Sequence, residues 1–267
     1  MAKQRKGIVV TFINEKGGVG KTSCCFNMAW KMASDGEKIL MIDMDGQKAN
    51  LTFFCAVKKD PSLKTIYNVL KKKDTISDVI INIKDNLDLV PADSEASYIN
   101  PEFRVRTLKE AIHSVKDEYD YIFIDVSPAP NWAQGLSTAC SDYLIIPMLP
   151  DATSVEADTG IIDTIKETQQ DENSALKVLG IVFMKYNTNT NLSKQVQDIA
   201  GVLAKRIDTK IFETRIRQAV VLSENVSNHI GITDYSPSSR AAEEFSNLVK
   251  EFRKEVRYHE RKNSEEK

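Results

Sequence analysis

Apolar residues along the chain fall in short runs rich in β-branched side chains, separated by longer stretches with helical spacing. Several of these runs, such as IVVTFI and YIFI, are almost continuously apolar. Such runs are typical of strands buried on both faces of a parallel sheet. The pattern predicts strands over residues 8–14, 38–42, 87–91, 121–126, 143–147 and 178–184, with a short strand near Ile211.

Helical periodicity fills the segments between the predicted strands. The first helix should end before Asp35-Gly36, and the second should begin with Asn100 as its cap and Pro101 in its first position. The predicted helices span residues 21–34, 101–116, 154–168, 191–206 and about 237–258. Because strands and helices alternate, we predict an α/β fold with a doubly wound, mostly parallel sheet flanked by helices.

The composition fits a single domain over residues 1–267, since a chain that is 42% hydrophobic can bury one large core. Residues 58–83, with their run of three lysines, are predicted to form a helical insertion on the surface, and residues 259–267 a charged, disordered tail. The formal net charge of -2 gives no global attraction to nucleic acid, so any polyanion must bind to a local patch.

Targeting signals and metal-binding cysteine patterns are not evident. The N-terminal sequence MAKQRKG lacks the apolar core of a signal peptide, and no apolar run approaches the roughly 20 residues of a spanning helix. Cysteines 24, 25, 55 and 140 show neither a CxxC pair nor metal-ligand spacing. We therefore expect a cytoplasmic protein.

The loop NEKGGVGKTS directly follows the first predicted strand and opens the first predicted helix. Its glycines allow successive backbone N–H groups to converge on a phosphate, with the helix dipole adding positive charge. A strict GxxxxGK[ST] motif would place glycine at Glu15, and a plain tight turn is the alternative interpretation. The strand-loop-helix context favours phosphate binding. The candidate nucleotide-binding residues are Gly17, Gly18, Val19, Gly20, Lys21, Thr22 and Ser23.

Three aspartates stand at the ends of predicted strands. Asp43 and Asp45 follow the apolar run ILMI, and Asp125 follows YIFI. Each position alone is also compatible with a solvated strand end. The carboxyl ends of strands form the ligand-binding edge of a doubly wound sheet, and nucleoside triphosphatases hold Mg²⁺ with such an aspartate. Together with the glycine loop, these aspartates favour nucleotide chemistry.

The motifs KGGVGKTS, IDMDGQKANLT and YDYIFIDVSP resemble the three nucleotide motifs of the ParA/Soj family of partition ATPases, which have a deviant Walker A loop. The segments NTNLS at 189–193 and LSE at 222–224 are similar to the family's RTNLS and LSE, so the resemblance extends from residue 8 to about 256. It implies a P-loop fold of the ParA/MinD type, with ATP and Mg²⁺ as cofactors.

The resemblance also implies a role for individual residues. Lys16 corresponds to the signature lysine, which contacts the nucleotide of the partner subunit in an ATP-bound sandwich dimer. Lys21 corresponds to the P-loop lysine, and Asp45 to the aspartate that supports activation of the hydrolytic water. Thr22, Asp45 and Asp125 are the candidate Mg²⁺ ligands. A lysine supplied by the partner would link charge neutralisation to dimerisation.

DNA binding is implied by the family more than by the residues. Gln218, Val221 and Asn189 occupy positions where close relatives carry arginine. The candidate substitutes are Arg215, Arg217, Lys250, Arg253 and Lys254. Glutamates 251, 255 and 260 are interleaved with the basic residues of the last helix, so a solvated, salt-bridged helix is the alternative.

The resemblance implies a slow Mg²⁺-dependent ATPase on the nucleoid of the bacterial cytoplasm. ATP would drive formation of a homodimer that binds nonspecific double-stranded DNA, and a ParB-like or other centromere-binding partner would trigger hydrolysis and release. One alternative is a septum-site-type ATPase, but the tail FRKEVRYHERKNSEEK lacks the apolar face for membrane binding. Another is a related ATPase that positions a protein cargo. The cargo and the partner stay open.

Overall fold

The computed structural model describes residues 7–58, 60–128, 132–150, 159–187 and 192–265. Within these residues eight strands form one sheet, and they are β1 Ile8–Phe12, β2 Ile39–Asp43, β3 Ile81–Lys84, β4 Leu87–Val90, β5 Tyr121–Asp125, β6 Tyr143–Met148, β7 Lys177–Tyr186 and β8 Ile216–Arg217. Their order across the sheet is β3-β4-β2-β5-β1-β6-β7-β8. Strand β3 is antiparallel to β4, and the other described pairs are parallel.

Helices connect the parallel strands and cover both faces of the sheet, which confirms the predicted doubly wound α/β fold. A π-helical turn, Thr168–Glu172, continues the α-helix that ends at Glu167. The α-helices are α1 Lys21–Ser34, α2 Asn50–Phe54, α3 Ile66–Leu70, α4 Ile76–Val79, α5 Val105–Val115, α6 Trp132–Cys140, α7 Thr159–Glu167, α8 Leu192–Arg206, α9 Val221–Ser227, α10 Ile232–Tyr235 and α11 Arg240–Glu265.

Strand β1 shows why the apolar runs are continuous. Ile8 and Val10 belong to the core between the sheet and helices α1 and α11, whereas Val9 and Ile13 belong to the core beneath α5 to α8. Successive strand residues point to opposite faces, so a strand covered on both sides is apolar at every position. The sheet therefore separates two hydrophobic cores, and the loops lie at the ends of its strands.

The loops after β1, β2 and β5 meet at one edge of the sheet. Phe12 and Asp43 are both register partners of Asp125, because β5 lies between β1 and β2. Parallel strands in register end together, so the residues that follow them are brought side by side. The fold thus places the glycine loop next to the strand-end aspartates.

Helix α5 begins later than predicted. It starts at Val105, with Arg104 in the capping position, so the prediction of Asn100 as cap and Pro101 as first helical residue is wrong. The Asn100 side chain instead accepts a hydrogen bond from the backbone N–H of Glu102 at 2.9 Å, which closes a separate turn before the helix.

The segment 58–83 is more than a helical insertion on the surface. It holds the short helices α3 and α4 and runs into the edge strand β3, which pairs antiparallel with β4. Ile66, Val69 and Ile76 are buried in the core beneath α5. The contribution of this segment to the core was not evident in the sequence, because the exposed lysines at 71–73 dominate the local composition.

The predicted disorder of residues 259–267 is wrong for its described part, because α11 stays helical to Glu265. The hydroxyl of Tyr143 donates to Glu260 at 2.8 Å, and Lys177 donates to Asn263 at 2.8 Å. These contacts hold the last turns of α11 against the sheet. Residues 266 and 267, the start of the predicted helix 154–168, and Asn189 of the NTNLS segment lie outside the described residues.

Candidate functional site

The glycine loop turns tightly between β1 and α1. Gly18 and Gly20 have φ values of 75° and 98°, in the left-handed region that favours glycine. A Cβ atom on Gly20 would also lie 3.2 Å from the end of the Met184 side chain. Gly20 precedes α1, whose N-terminus has no side-chain cap. The first N–H groups of the helix are thus available to an anion.

Lys21 lies inside this loop. Its ammonium donates to the carbonyl oxygen of Asn14 at 2.9 Å and to that of Lys16 at 3.2 Å. Asn14 is fully buried and braces the loop, since its side chain accepts from the backbone N–H of Lys16 and donates to the carbonyl of Pro147. Lys16 is partly exposed and does not line the cavity around Lys21. The two lysines of the motif therefore have different positions.

Asp43 and Asp45 organise the loop after β2. Asp43 accepts hydrogen bonds from the backbone and hydroxyl of Thr52 and from the backbone N–H of Asp45. Burial raises the pKa of Asp43 to about 6, although those hydrogen bonds act in the opposite direction. Asp45 accepts from the backbone N–H groups of Gln47 and Lys48 through one oxygen and lines the cavity.

Asp125 is fully buried, and no hydrogen bond of normal geometry reaches either carboxylate oxygen from a described residue, although the Thr22 hydroxyl interacts with the carboxylate. Burial and the neighbouring Asp43 raise its pKa well above the usual range, against the opposing effects of Thr22 and Lys21. A buried carboxylate in this state fits a role as a ligand of a cation, directly or through water. No described group of three or more His, Cys, Asp or Glu side chains could hold a metal alone. A cation here would need phosphate oxygens and water as further ligands.

The loops surround a cavity of about 210 Å³. Of the candidate nucleotide-binding residues, Gly18, Gly20, Lys21, Thr22 and Ser23 line it, together with Asp45. Gly17 is exposed and Val19 is buried, and neither contributes to the lining. The further lining residues, none of them among the candidate site residues, are Lys48, Asn50, Phe54, Val126, Pro128 and Lys185.

These additional residues differ in how far the sequence could have revealed them. Lys48 and Asn50 follow Asp45 within the same motif, so their proximity was available as a signal. Lys185 belongs to β7, far along the chain, and no local pattern connects it to the glycine loop. Tyr186, the next residue, is buried and contacts Arg215 instead.

Three of the candidate DNA contacts are engaged within the chain. The Arg215 guanidinium lies 4.7 Å from the centre of the Tyr186 ring, and Arg217 forms an ion pair with Glu244. The third, Arg253, is paired with Asp35 at 2.8 Å and with Glu37 at 2.6 Å. The remaining two candidates, Lys250 and Lys254, are exposed on α11.

Three glutamates of α11, at positions 251, 255 and 260, contact the body of the protein. Glu251 accepts hydrogen bonds from the backbone N–H groups of residues 213 and 214, Glu255 pairs with Lys210, and Glu260 accepts from Tyr143. The exposed face of the helix carries basic residues at spacings of four, three and four, which places them on one side. They are Lys250, Lys254, Arg257 and Arg261, and we call them the basic face of α11.

In the described part of the chain, no helix combines the length and the apolar character needed to cross a membrane.

Comparison with known proteins supports a single family. A family model described as an AAA domain matches residues 7–178. The sporulation initiation inhibitor protein Soj of Bacillus subtilis is 30% identical over 92% of this chain and 98% of its own length. A putative plasmid partition protein of Borrelia burgdorferi, solved with AMPPNP, is 25% identical with a TM-score of 0.74, covering 94% of this chain and 99% of its own.

The septum site-determining protein MinD of Pyrococcus horikoshii, solved with Mg-ADP, shares the fold with a TM-score of 0.75 at 23% identity, over 92% of this chain and 95% of its own. Nucleotide and magnesium thus occur in complexes of structurally similar proteins. The motifs, the sheet order and these matches agree on a ParA-type positioning ATPase. The chain belongs to the ParA/Soj family of partition ATPases, P-loop enzymes that hydrolyse ATP.

Proposed function

We propose that this ATPase binds ATP and Mg²⁺ at the 210 Å³ cavity, dimerises around two nucleotides and then binds double-stranded DNA without sequence preference. A ParB-like or other centromere-binding partner stimulates hydrolysis and so releases the DNA. The observation that carries this proposal is the division between a buried Lys21 within the loop and a partly exposed Lys16 outside the cavity lining.

Within one subunit, the chain's own residues position the triphosphate. Lys21 and the N-terminal N–H groups of α1 bind the β- and γ-phosphates, while Thr22 and Asp125 hold Mg²⁺, Asp125 directly or through water. Bound Mg²⁺ neutralises the charge that develops on the phosphate oxygens. Asp45 keeps one oxygen on the turn at 47–48, and its carboxylate orients the attacking water from the cavity wall.

Dimerisation depends on Lys16. Lys16 is partly exposed and does not line the cavity of its own subunit, and in this proposal it contacts the nucleotide bound by a second copy. Because phosphoryl transfer is accelerated mainly by positioning and charge neutralisation, a lysine supplied by the partner makes hydrolysis depend on the dimer. ATP then acts as the signal for assembly.

The basic face of α11 is the DNA-binding surface in this proposal. Its four side chains are exposed, and the neighbouring glutamates 251, 255 and 260 contact the protein body. Because the formal net charge of the chain is -2, a polyanion needs a surface patch where basic side chains are separated from acidic ones. Contacts of this kind with phosphates are independent of sequence and weaken as salt rises.

Residues 1–267 act as a single ATPase domain in the bacterial cytoplasm, associated with the nucleoid.

The decisive experiment is a series of gel shifts with unrelated duplexes at rising salt, comparing ATP with ADP. Salt-sensitive binding that requires ATP and ignores sequence supports the proposal. DNA binding that is equal with ATP and ADP contradicts it. Binding to liposomes instead of DNA would favour the septum-site alternative.

A further inference from the structure

A third lysine contacts the glycine loop from outside the motif. Lys185, near the end of β7, donates a hydrogen bond from its ammonium to the carbonyl oxygen of Gly18 at 3.0 Å. Its side chain also lines the cavity that contains Lys21 and Thr22. The contact joins residues 167 positions apart in the sequence.

The backbone around Lys185 is unusual for a strand. Its φ value is 54°, in the left-handed region that a lysine rarely adopts. The pairing of β7 with β8 shifts register between Met184 and Tyr186, and such irregularities redirect a side chain. Met184 meanwhile packs against Gly20, so this end of β7 contacts the loop at two points. Strained residues of this kind cluster at functional sites.

We propose that Lys185 is a positioning residue for nucleotide binding, acting through the Gly18–Val19 peptide. In a trans peptide the C=O and N–H groups point in opposite directions. An ammonium on the Gly18 carbonyl therefore fixes the direction of the Val19 N–H and increases its positive character. Because Gly18 lines the cavity, this hydrogen bond holds one wall of the proposed nucleotide site in a single conformation.

This inference rests on the nucleotide site proposed above. Because the proposed action of Lys185 is on the backbone of the loop, its effect should be the same whether two or three phosphates are bound. An interaction made equally in the ground state and the transition state changes KM and leaves kcat unchanged. A direct contact with the γ-phosphate would distinguish ATP from ADP.

The test uses the full chain with Lys185→Met, which keeps the length of the side chain and removes the charge. Calorimetric titration should show roughly tenfold weaker binding of both Mg-ATP and Mg-ADP. Steady-state hydrolysis should show KM raised by a similar factor with kcat within about twofold of the original. Lys185→Arg, which can also donate to a carbonyl, should restore most of the affinity.

Two further variants separate this role from folding and from net charge. Lys185→Gly suits the left-handed backbone, so it should unfold at a temperature no lower than Lys185→Met and still bind nucleotide weakly. Lys205→Met removes an exposed lysine of α8 and should bind nucleotide normally. Unchanged affinity in Lys185→Met, or a loss confined to ATP, would overturn the positioning role. Failure of the unmodified protein to bind nucleotide would refute the proposed function itself.

Discussion

Asp43 and Asp125 are register partners at the carboxyl ends of β2 and β5, and both are fully buried. Their surroundings nevertheless differ. The Asp43 carboxylate accepts hydrogen bonds from Thr52 and Asp45, whereas that of Asp125 receives none of normal geometry from a described residue. Asp43 is thus tied into the fold by hydrogen bonds, and Asp125 is the aspartate that we propose holds Mg²⁺.

This difference predicts opposite effects of the same substitution on the metal-free protein. At pH 7, Asp125→Asn should raise the free energy of unfolding by about 1 kcal/mol or more, because burial and the nearby Asp43 disfavour the ionised carboxylate in the folded protein. Asp43→Asn should lower it by about 1–3 kcal/mol, because an amide nitrogen cannot accept the hydrogen bonds that Asp43 receives. Urea denaturation without Mg²⁺ or nucleotide measures both changes.

Magnesium provides the functional comparison for Asp125. The original protein should gain stability when Mg-ADP is added, since a ligand that binds only the folded state shifts the equilibrium. Asp125→Asn should lose most of the gain that depends on Mg²⁺ and should hydrolyse ATP far more slowly. If Asp125→Asn destabilised the metal-free protein and the variant still responded normally to Mg-ADP, the assignment of Asp125 would be contradicted.

Substitutions of Lys16 and Lys21 should impair different steps, dimerisation and nucleotide binding respectively. Lys21→Met removes a buried ammonium from the loop and is expected to weaken ATP binding to the single subunit by roughly tenfold or more. Lys16→Ala should keep that affinity and lose ATP-dependent dimers. Equilibrium binding with labelled ATP and sedimentation velocity separate the two effects. Normal dimers of Lys16→Ala would remove the basis for its role across the subunits.

Asp45 should be tested with asparagine, not alanine. One of its oxygens accepts hydrogen bonds from the backbone N–H groups of Gln47 and Lys48, so alanine would also disturb the turn. Asp45→Asn keeps an acceptor and removes the charge that orients the attacking water. Hydrolysis should slow by about 100-fold or more, while ATP stays bound and dimers accumulate. A monomeric, ATP-bound variant would contradict this role.

The sequence predicted those parts of the molecule that depend on local pattern. The glycine loop, Asp43 and Asp125 lie beside one another because parallel strands in register end together, and strand periodicity is visible in the sequence. Contacts between distant segments were not predictable. The hydrogen bond from Lys185 to Gly18 joins residues 167 positions apart, next to a register shift at the end of β7. Arg253 looked like a DNA contact because its pairing with Asp35 and Glu37 has no local signature.

The basic face of α11 provides the last prediction. The double variant Lys254→Ala/Arg257→Ala should weaken ATP-dependent DNA binding equally for unrelated duplexes and should lower the slope of log affinity against log salt by about 2, one unit for each lost phosphate contact. Arg253→Ala is the matched control on the same helix. It should lower stability by about 1 kcal/mol through its lost ion pairs, yet keep the salt slope. Gel shifts between 50 and 200 mM salt, values typical for such series, measure both variants. If Arg253→Ala reduced the slope and the double variant did not, the DNA would lie on a different face.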